Sequence, residues 1–300
     1  MTPRGKSLYR ISVICILAFF CLVSCVPREA VQPQVQHEPA KIALVLGGGA
    51  ARGFAHIGVL KILESNHIPV HMIVGTSAGS FVGSLYAYGF NAYQIQKMSL
   101  DIQRGDIADY TIPDNGFIKG DLLEAYVNRM LRNTTMEKLR MPFYAIATEV
   151  PTGKETVFGS GNTGKAVRSS CSIPGVFNPV IIGGRMYVDG GVVSPVAVDA
   201  AKQRGADIVI AVDVSSDPDT NQPSGTMETI LQAINIMSAR ISVTQLLKAD
   251  VVIRPLVGHI GSADFDKRND AIIEGEKAAL QALPKIQEII TRLRQEGRLK

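Results

Sequence analysis

The sequence is short of histidine, of cysteine, of net charge and of long apolar runs, and each shortage removes a class of protein. The histidines, His37, His56, His67, His71 and His259, are scattered and never fall beside cysteines or carboxylates at ligand spacing. No metal centre is expected, and no cofactor is required. Four cysteines leave no pair for a disulfide, because Cys15 and Cys21 lie in a leader, Cys25 has another use, and only Cys171 stays in the body of the chain. Cys171 alone reads as a small packed residue. The formal net charge is +4, and Arg4, Lys6 and Arg10 contribute to it ahead of anything that folds. The remainder is too near neutrality for a nucleic-acid footprint, so no nucleic-acid partner is expected. The apolar run Ile11 to Val23 spans about 13 residues, short of the ~20 a helix needs to cross a bilayer.

What is present begins with that run. A basic start, a short apolar stretch and the small residue Ser24 make residues 1–24 a secretory leader. Leu22-Val23-Ser24-Cys25 resembles the lipobox of bacterial lipoproteins, whose cysteine is acylated and becomes the first mature residue. Cys25 is therefore the expected lipidation site, holding the protein on a membrane without a spanning helix. Val26 follows Cys25 where an aspartate would retain a lipoprotein at the inner membrane; by that resemblance the expected location is the outer membrane, facing the periplasm. Residues 25–40, rich in proline and glutamine, read as a tether. Residues 41–300 read as one domain, since 46% hydrophobic and 19% charged positions are ample for a core.

The domain opens with Lys41 to Leu46, an apolar run suited to a buried parallel strand, followed by Gly47-Gly48-Gly49-Ala50-Ala51-Arg52-Gly53 and an amphipathic helix to about Asn66. Strand, glycine loop and helix form an anion site: free backbone amides, the positive end of the helix dipole and Arg52 all face one negative charge. A dinucleotide would suit such a loop if the next strand ended in an acid for the ribose. That strand, Val70 to Val74, instead ends in Gly75-Thr76-Ser77-Ala78-Gly79. This is a GxSxG elbow, in which Gly75 and Gly79 let the chain turn sharply and leave the Ser77 hydroxyl exposed on a strained corner.

Helices are expected over Ala78 to Tyr88, Asn91 to Arg104 and, capped by Asp121, on to about Leu131. The connection from Arg104 to Gly120 is either a flap over the site or an ordinary surface loop. Strands follow at Met141 to Glu149 and Glu155 to Phe158, then a helix from Gly161 to Ser172 and a hairpin turning at Gly183-Gly184. The hairpin delivers Asp189 at a strand end, before a Gly190-Gly191 turn that no side chain obstructs. Further on come a helix at Val196 to Arg204, a strand at Ile208 to Val214, a polar loop from Ser215 to Gly225 and a long helix to about Lys248. The apolar stripe of that helix reads as core packing in preference to a lipid groove. A strand at Val251 to Arg254 and an amphipathic helix from Asp270 to Arg294 close the chain.

GGGxxRG in Gly47 to Gly53, GTSAG in Gly75 to Gly79, Ser169 to Phe177, and Asp189-Gly190-Gly191 together resemble the patatin-like phospholipases. The resemblance implies a three-layer α/β fold with a mostly parallel central sheet and helices on both faces. It also implies a serine acyl hydrolase acting on lipid esters through a Ser77–Asp189 dyad, with Gly48, Gly49 and Arg52 as the oxyanion hole. Acyl transfer to an acceptor other than water, or a lipid-binding lipoprotein without catalysis, are the alternatives. The order Ser77, Asp189, His259 also fits a hydrolase triad; His56, on the first helix, reads as packing. An aspartate base is expected to keep activity below the pH at which an imidazole protonates.

Overall fold

The strand Ile42–Leu46 (β1) alternates its side chains between two cores, which is why every one of its residues is apolar. Ile42, Leu44 and Leu46 enter one cluster, whereas Ala43 and Val45 enter another with Val196, Val198 and Leu246. The computed structural model describes residues 38–112, 115–215, 223 and 225–299. The leader, Cys25, His37 and the tether up to His37 lie outside these residues, as does most of the polar loop after Ser215.

The other strands are Met72–Thr76 (β2), Phe143–Glu149 (β3), Lys154–Phe158 (β4), Val180–Ile182 (β5), Arg185–Asp189 (β6), Ile208–Val212 (β7) and Val251–Ile253 (β8). They form one sheet in the order β5-β6-β3-β2-β1-β7-β8, with β4 paired to β3 off this path. β3, β2, β1, β7 and β8 run parallel, and β4 and β6 pair antiparallel with β3. One face is covered by Ala55–Ser65 (α1), Ala78–Tyr88 (α2), Ala92–Asp101 (α3), Asp121–Met130 (α4), Thr163–Ser170 (α5) and Arg268–Gln295 (α8). Val198–Gln203 (α6) and the C-terminal end of Thr226–Leu246 (α7) cover the other. This is the three-layer architecture expected from the sequence, and most element limits agree to within two residues.

Register explains how residues distant in sequence meet. Thr76 pairs with Ile146 in β3, and Asp189 pairs with the next residue, Ala147, on the same edge of that strand, because β4 occupies the other edge from Ala145 to Glu149. Because β6 runs against its neighbour, its last residue descends to the level at which β2 ends and Ser77 begins. The strand order reverses at β1, the place where an open α/β sheet leaves a crevice beyond its strand ends. The glycine loop fills it.

Two expectations need correcting. The α4 helix is capped by Gly120 and not by Asp121: the carboxylate of Asp109 accepts from the amides of Gly120 (2.7 Å), Asp121 (3.0 Å) and Leu122 (3.3 Å). A side chain eleven residues upstream of Gly120 satisfies the orphan donors of the first turn. The stripe on α7 is not core packing either. At about 31 Å this helix outruns strands of about 17 Å, and none of its described side chains from Thr226 to Ile241 is buried. Only its C-terminal end, Ser242 and Leu246, reaches the interior.

Candidate active site

Ser77 sits at φ 53°, ψ −125° between β2 and α2, a conformation strained for a residue with a side chain. Two contacts hold it there. Its amide donates to the Ser170 hydroxyl at 2.8 Å, and α2 begins so close to β1 that a Cβ on Gly79 would lie 2.1 Å from the Leu46 carbonyl oxygen. The Ser77 hydroxyl donates to Asp189 Oδ2 at 2.5 Å, while Asp189 Oδ1 accepts from the Gly191 amide at 2.7 Å. The Asp189 backbone is itself tied, its amide to the Ser172 carbonyl (2.8 Å) and its carbonyl to the Thr148 hydroxyl (2.9 Å). Thus Ser170 and Ser172, for which the sequence offered only a family resemblance, position both members of the pair. Ser170 acts through its hydroxyl and Ser172, two residues on, through its backbone carbonyl, and neither carries a signal of such a role in the sequence.

Burial pushes the Asp189 carboxyl up to about 6; the hydrogen bonds from Ser77 and Gly191 oppose the rise without cancelling it. This corrects the expected pH behaviour. An aspartate titrating near 6 loses its charge in the same range as an imidazole, so the lower limit of a pH profile does not distinguish the two bases.

The glycine loop is arranged differently from expectation. The Gly48 amide is already donated to the Pro195 carbonyl at 3.0 Å, so it is not free to bind an anion. Its lack of a side chain serves proximity, since a Cβ there would sit 3.3 Å from Ser77 Cβ. Among the described residues, the amides of Gly49 and Ala50 have no protein acceptor, and both residues line the cavity that holds Ser77 and Asp189. Ala50 has a φ of 49° and, with Ser77, is one of the non-glycine residues held at positive φ. The next amide, of Ala51, is spent on the Ser262 carbonyl.

Arg52 lines the same cavity but does not act as a free cation there. It is buried, donates from Nη2 to Asn235 Oδ1 of α7 at 3.3 Å, and leaves Nε unpartnered. Burial lowers its pKa and nearby Asp213 opposes that shift. His56 does more than pack. Burial pushes it down to about 4, so it is neutral, and its Nε2–H donates to the Gly47 carbonyl at 2.8 Å, fastening the loop to α1. His259 is exposed, and among the described residues no histidine lines the cavity. The alternative triad therefore lacks its base. Cys171 is buried and free, as expected.

A three-layer α/β fold with a serine on a strained strand-to-helix elbow, bonded to a buried aspartate beneath a glycine loop, defines the nucleophile-elbow class of proteins. Residues 44–202 match the family model described as patatin-like phospholipase, and the chain belongs to that family. It is 34% identical over 188 residues to patatin-like phospholipase domain-containing protein 6 of Mus musculus, which covers 60% of this chain and 14% of that protein. It is 30% identical over 280 residues to lysophospholipase NTE1 of Pyricularia oryzae, covering 82% of this chain and 19% of that one. The chain thus spans less than a fifth of these relatives' length. Among solved structures, VipD from Legionella pneumophila superposes with a TM-score of 0.55 at 13% identity, over 83% of this chain and 67% of that one, a likeness of fold.

Proposed function

We propose that the protein is a serine acyl hydrolase that cleaves acyl esters of lipids, with Ser77 as nucleophile and Asp189 as general base. The observation that carries this is the 2.5 Å hydrogen bond from the Ser77 hydroxyl to a buried carboxylate, in a cavity where Gly49 and Ala50 keep unspent amides. As Ser77 Oγ attacks the ester carbonyl, its proton passes to Asp189 Oδ2, and the negative charge on the carbonyl oxygen is received by those two amides. Collapse breaks the ester C–O bond, and Asp189 returns the proton to the departing alcohol. Water, deprotonated by the same carboxylate, then releases the acid from acyl-Ser77. A pKa near 6 makes Asp189 a stronger base than an exposed aspartate while leaving it mostly ionised at neutral pH.

The family membership supports a lipid as the ester, and the names of the fungal relatives make lysophospholipid the first substrate to try. The test is labelling by a fluorophosphonate probe, run beside hydrolysis of a panel of phospholipids, lysophospholipids and short-chain esters. Ser77→Ala should abolish labelling. Asp189→Asn should reduce turnover by about 10⁴-fold, because an amide cannot accept the hydroxyl proton. His259→Gln should stay within about twofold of wild type, since an exposed imidazole outside the cavity takes no part in proton transfer. A folded wild-type chain that neither labels nor cleaves any ester would favour a lipid-binding role, and an inactive, folded His259→Gln would overturn the dyad.

A further inference from the structure

We propose that the mouth of the Ser77 cavity is framed by a surface that docks on a phospholipid bilayer, formed by Tyr110, Ile112 and Phe117 on one bank and Ile230, Ile236 and Met237 on the other. The proposal rests on the acyl hydrolase reading above and says how that site meets its substrate.

The two banks come from unrelated parts of the chain. On one side, the Phe117 and Ile118 amides both donate to the Val176 carbonyl at 2.9 Å, and Thr111 donates to the Phe117 carbonyl. That pins residues 110–112 and 115–118 to the stretch whose Ile173 and Pro174 line the cavity. On the other side, the first turns of α7 line the cavity with Leu231, Ile234 and Asn235, and turn Ile230, Ile236 and Met237 outward. Exposure reaches 88% at Ile112, 74% at Tyr110 and 56% at Met237. Single exposed apolar residues are ordinary, but several large ones carried by the segments that line or brace one cavity mark an interaction surface.

Charge and geometry select the occupant. From Thr226 to Ala239 the one ionisable side chain is Glu228, and the exposed positions after Thr229 as far as Met237 are Ile230, Ala233, Ile236 and Met237, so this part of α7 turns an uncharged, apolar surface outward. Among the described residues no helix is long and apolar enough to cross a membrane, so such a surface lies on a bilayer and does not span it. An acyl chain leaving a bilayer loses its apolar surroundings unless the mouth is sealed against the lipid, and an apolar rim provides the seal. A second copy of the chain on the same rim would instead close the cavity to substrate.

The chain contains no tryptophan, so one introduced indole is a background-free reporter. The full chain is prepared with Cys25→Ser, to remove the expected acylation site, and with Ser77→Ala, to protect the vesicles. It then carries Ile112→Trp, Met237→Trp or, as a control, Leu247→Trp, which lies on exposed surface just beyond the buried, C-terminal end of α7. On vesicles of phosphatidylethanolamine and phosphatidylglycerol, the first two should shift to the blue and be quenched by doxyl-labelled lipid, and the control should do neither. No response at Ile112 and Met237, an equal response at all three sites, or a response that grows with protein concentration in the absence of vesicles would each overturn the proposal, the last in favour of a second copy. With Ser77 intact, Ile112→Asp and Met237→Asp should each lower hydrolysis of vesicle lipid by about tenfold and leave a soluble short-chain ester within about twofold. Equal loss on both substrates would count against docking, because the residues would then serve the cavity itself. The reporters are read in an inactive background, so failure of the hydrolase reading, a wild-type chain inert toward every ester, is scored separately.

Discussion

The long helices α7 and α8 carry apolar residues at the same helical spacing and end up in opposite circumstances. On α8, Ala271, Ile272, Ala278, Ala279, Ile286, Ile289, Ile290 and Leu293 are buried, and the helix lies so close to α1 that a Cβ on Gly275 would be 2.0 Å from the Ala55 carbonyl oxygen and one on Gly58 would be 1.9 Å from that of Ile272. α7 is held largely by polar bonds: Asn235 to Arg52, Ser238 to the Gly191 carbonyl, and Gln245 to the Val196 amide and the Ser194 hydroxyl. Density of packing separates a structural helix from one that borders a site. Buried apolar area stabilises α8, whereas α7 gains little from burial over its first half and is free to serve the cavity.

The strongest way to break this comparison is Gly275→Val. With no room for a side chain at the crossing, the helices must separate, and a loss of about 3 kcal/mol or more is expected in denaturant unfolding. A variant melting near the wild-type temperature would mean that α8 is no more tightly packed than α7.

Second in size is the cost of ionising Asp189. Its pKa is raised in the folded state, so the fold binds its proton more tightly than the unfolded chain does. The sign follows: this group's contribution to stability increases as pH falls from about 6 toward its ordinary value near 4, and is least favourable above 6. Turnover runs the other way, with kcat/KM falling to half near pH 6 as the base is protonated. Asp189→Asn should raise the unfolding free energy at neutral pH by about 2 to 3 kcal/mol while removing activity. A variant less stable than wild type would show that burial of the charge is compensated in a way the hydrogen bonds do not reveal.

The smallest effect sharpens the contrast on α7. Asn235→Ala removes one long hydrogen bond to Arg52 and should cost about 1 kcal/mol or less. Because it releases the helix from the glycine loop, kcat/KM should nevertheless change beyond what the loss of stability explains. A thermal shift as large as that of Gly275→Val would remove the distinction between the two helices.

The parts of the fold legible in the sequence are those set by neighbours along the chain. β1 and the glycine loop, the GTSAG elbow, the Gly183-Gly184 hairpin and the Asp189-Gly190-Gly191 turn were readable because each needs particular residue types within a few positions. The same local demands single out Ser77 and Asp189. What failed depended on distance. Ser170 holding the Ser77 amide and Pro195 consuming the Gly48 amide are pairings between distant segments brought together by the sheet, and Asp109 capping α4 and His56 bonding the Gly47 carbonyl close loops of eleven and nine residues that no local residue pattern specifies.

By itself, then, the sequence determined the alternation of buried strands and helices and the residue types at the two turns, because backbone sterics and side-chain periodicity act over a few residues. Tertiary structure alone decided which amides remain free, how far the Asp189 carboxyl is pushed toward neutrality, and that α7 borders a cavity where α8 fills a core. Each of those depends on desolvation and on a partner's reach, quantities that exist only once segments far apart in the chain have been packed together.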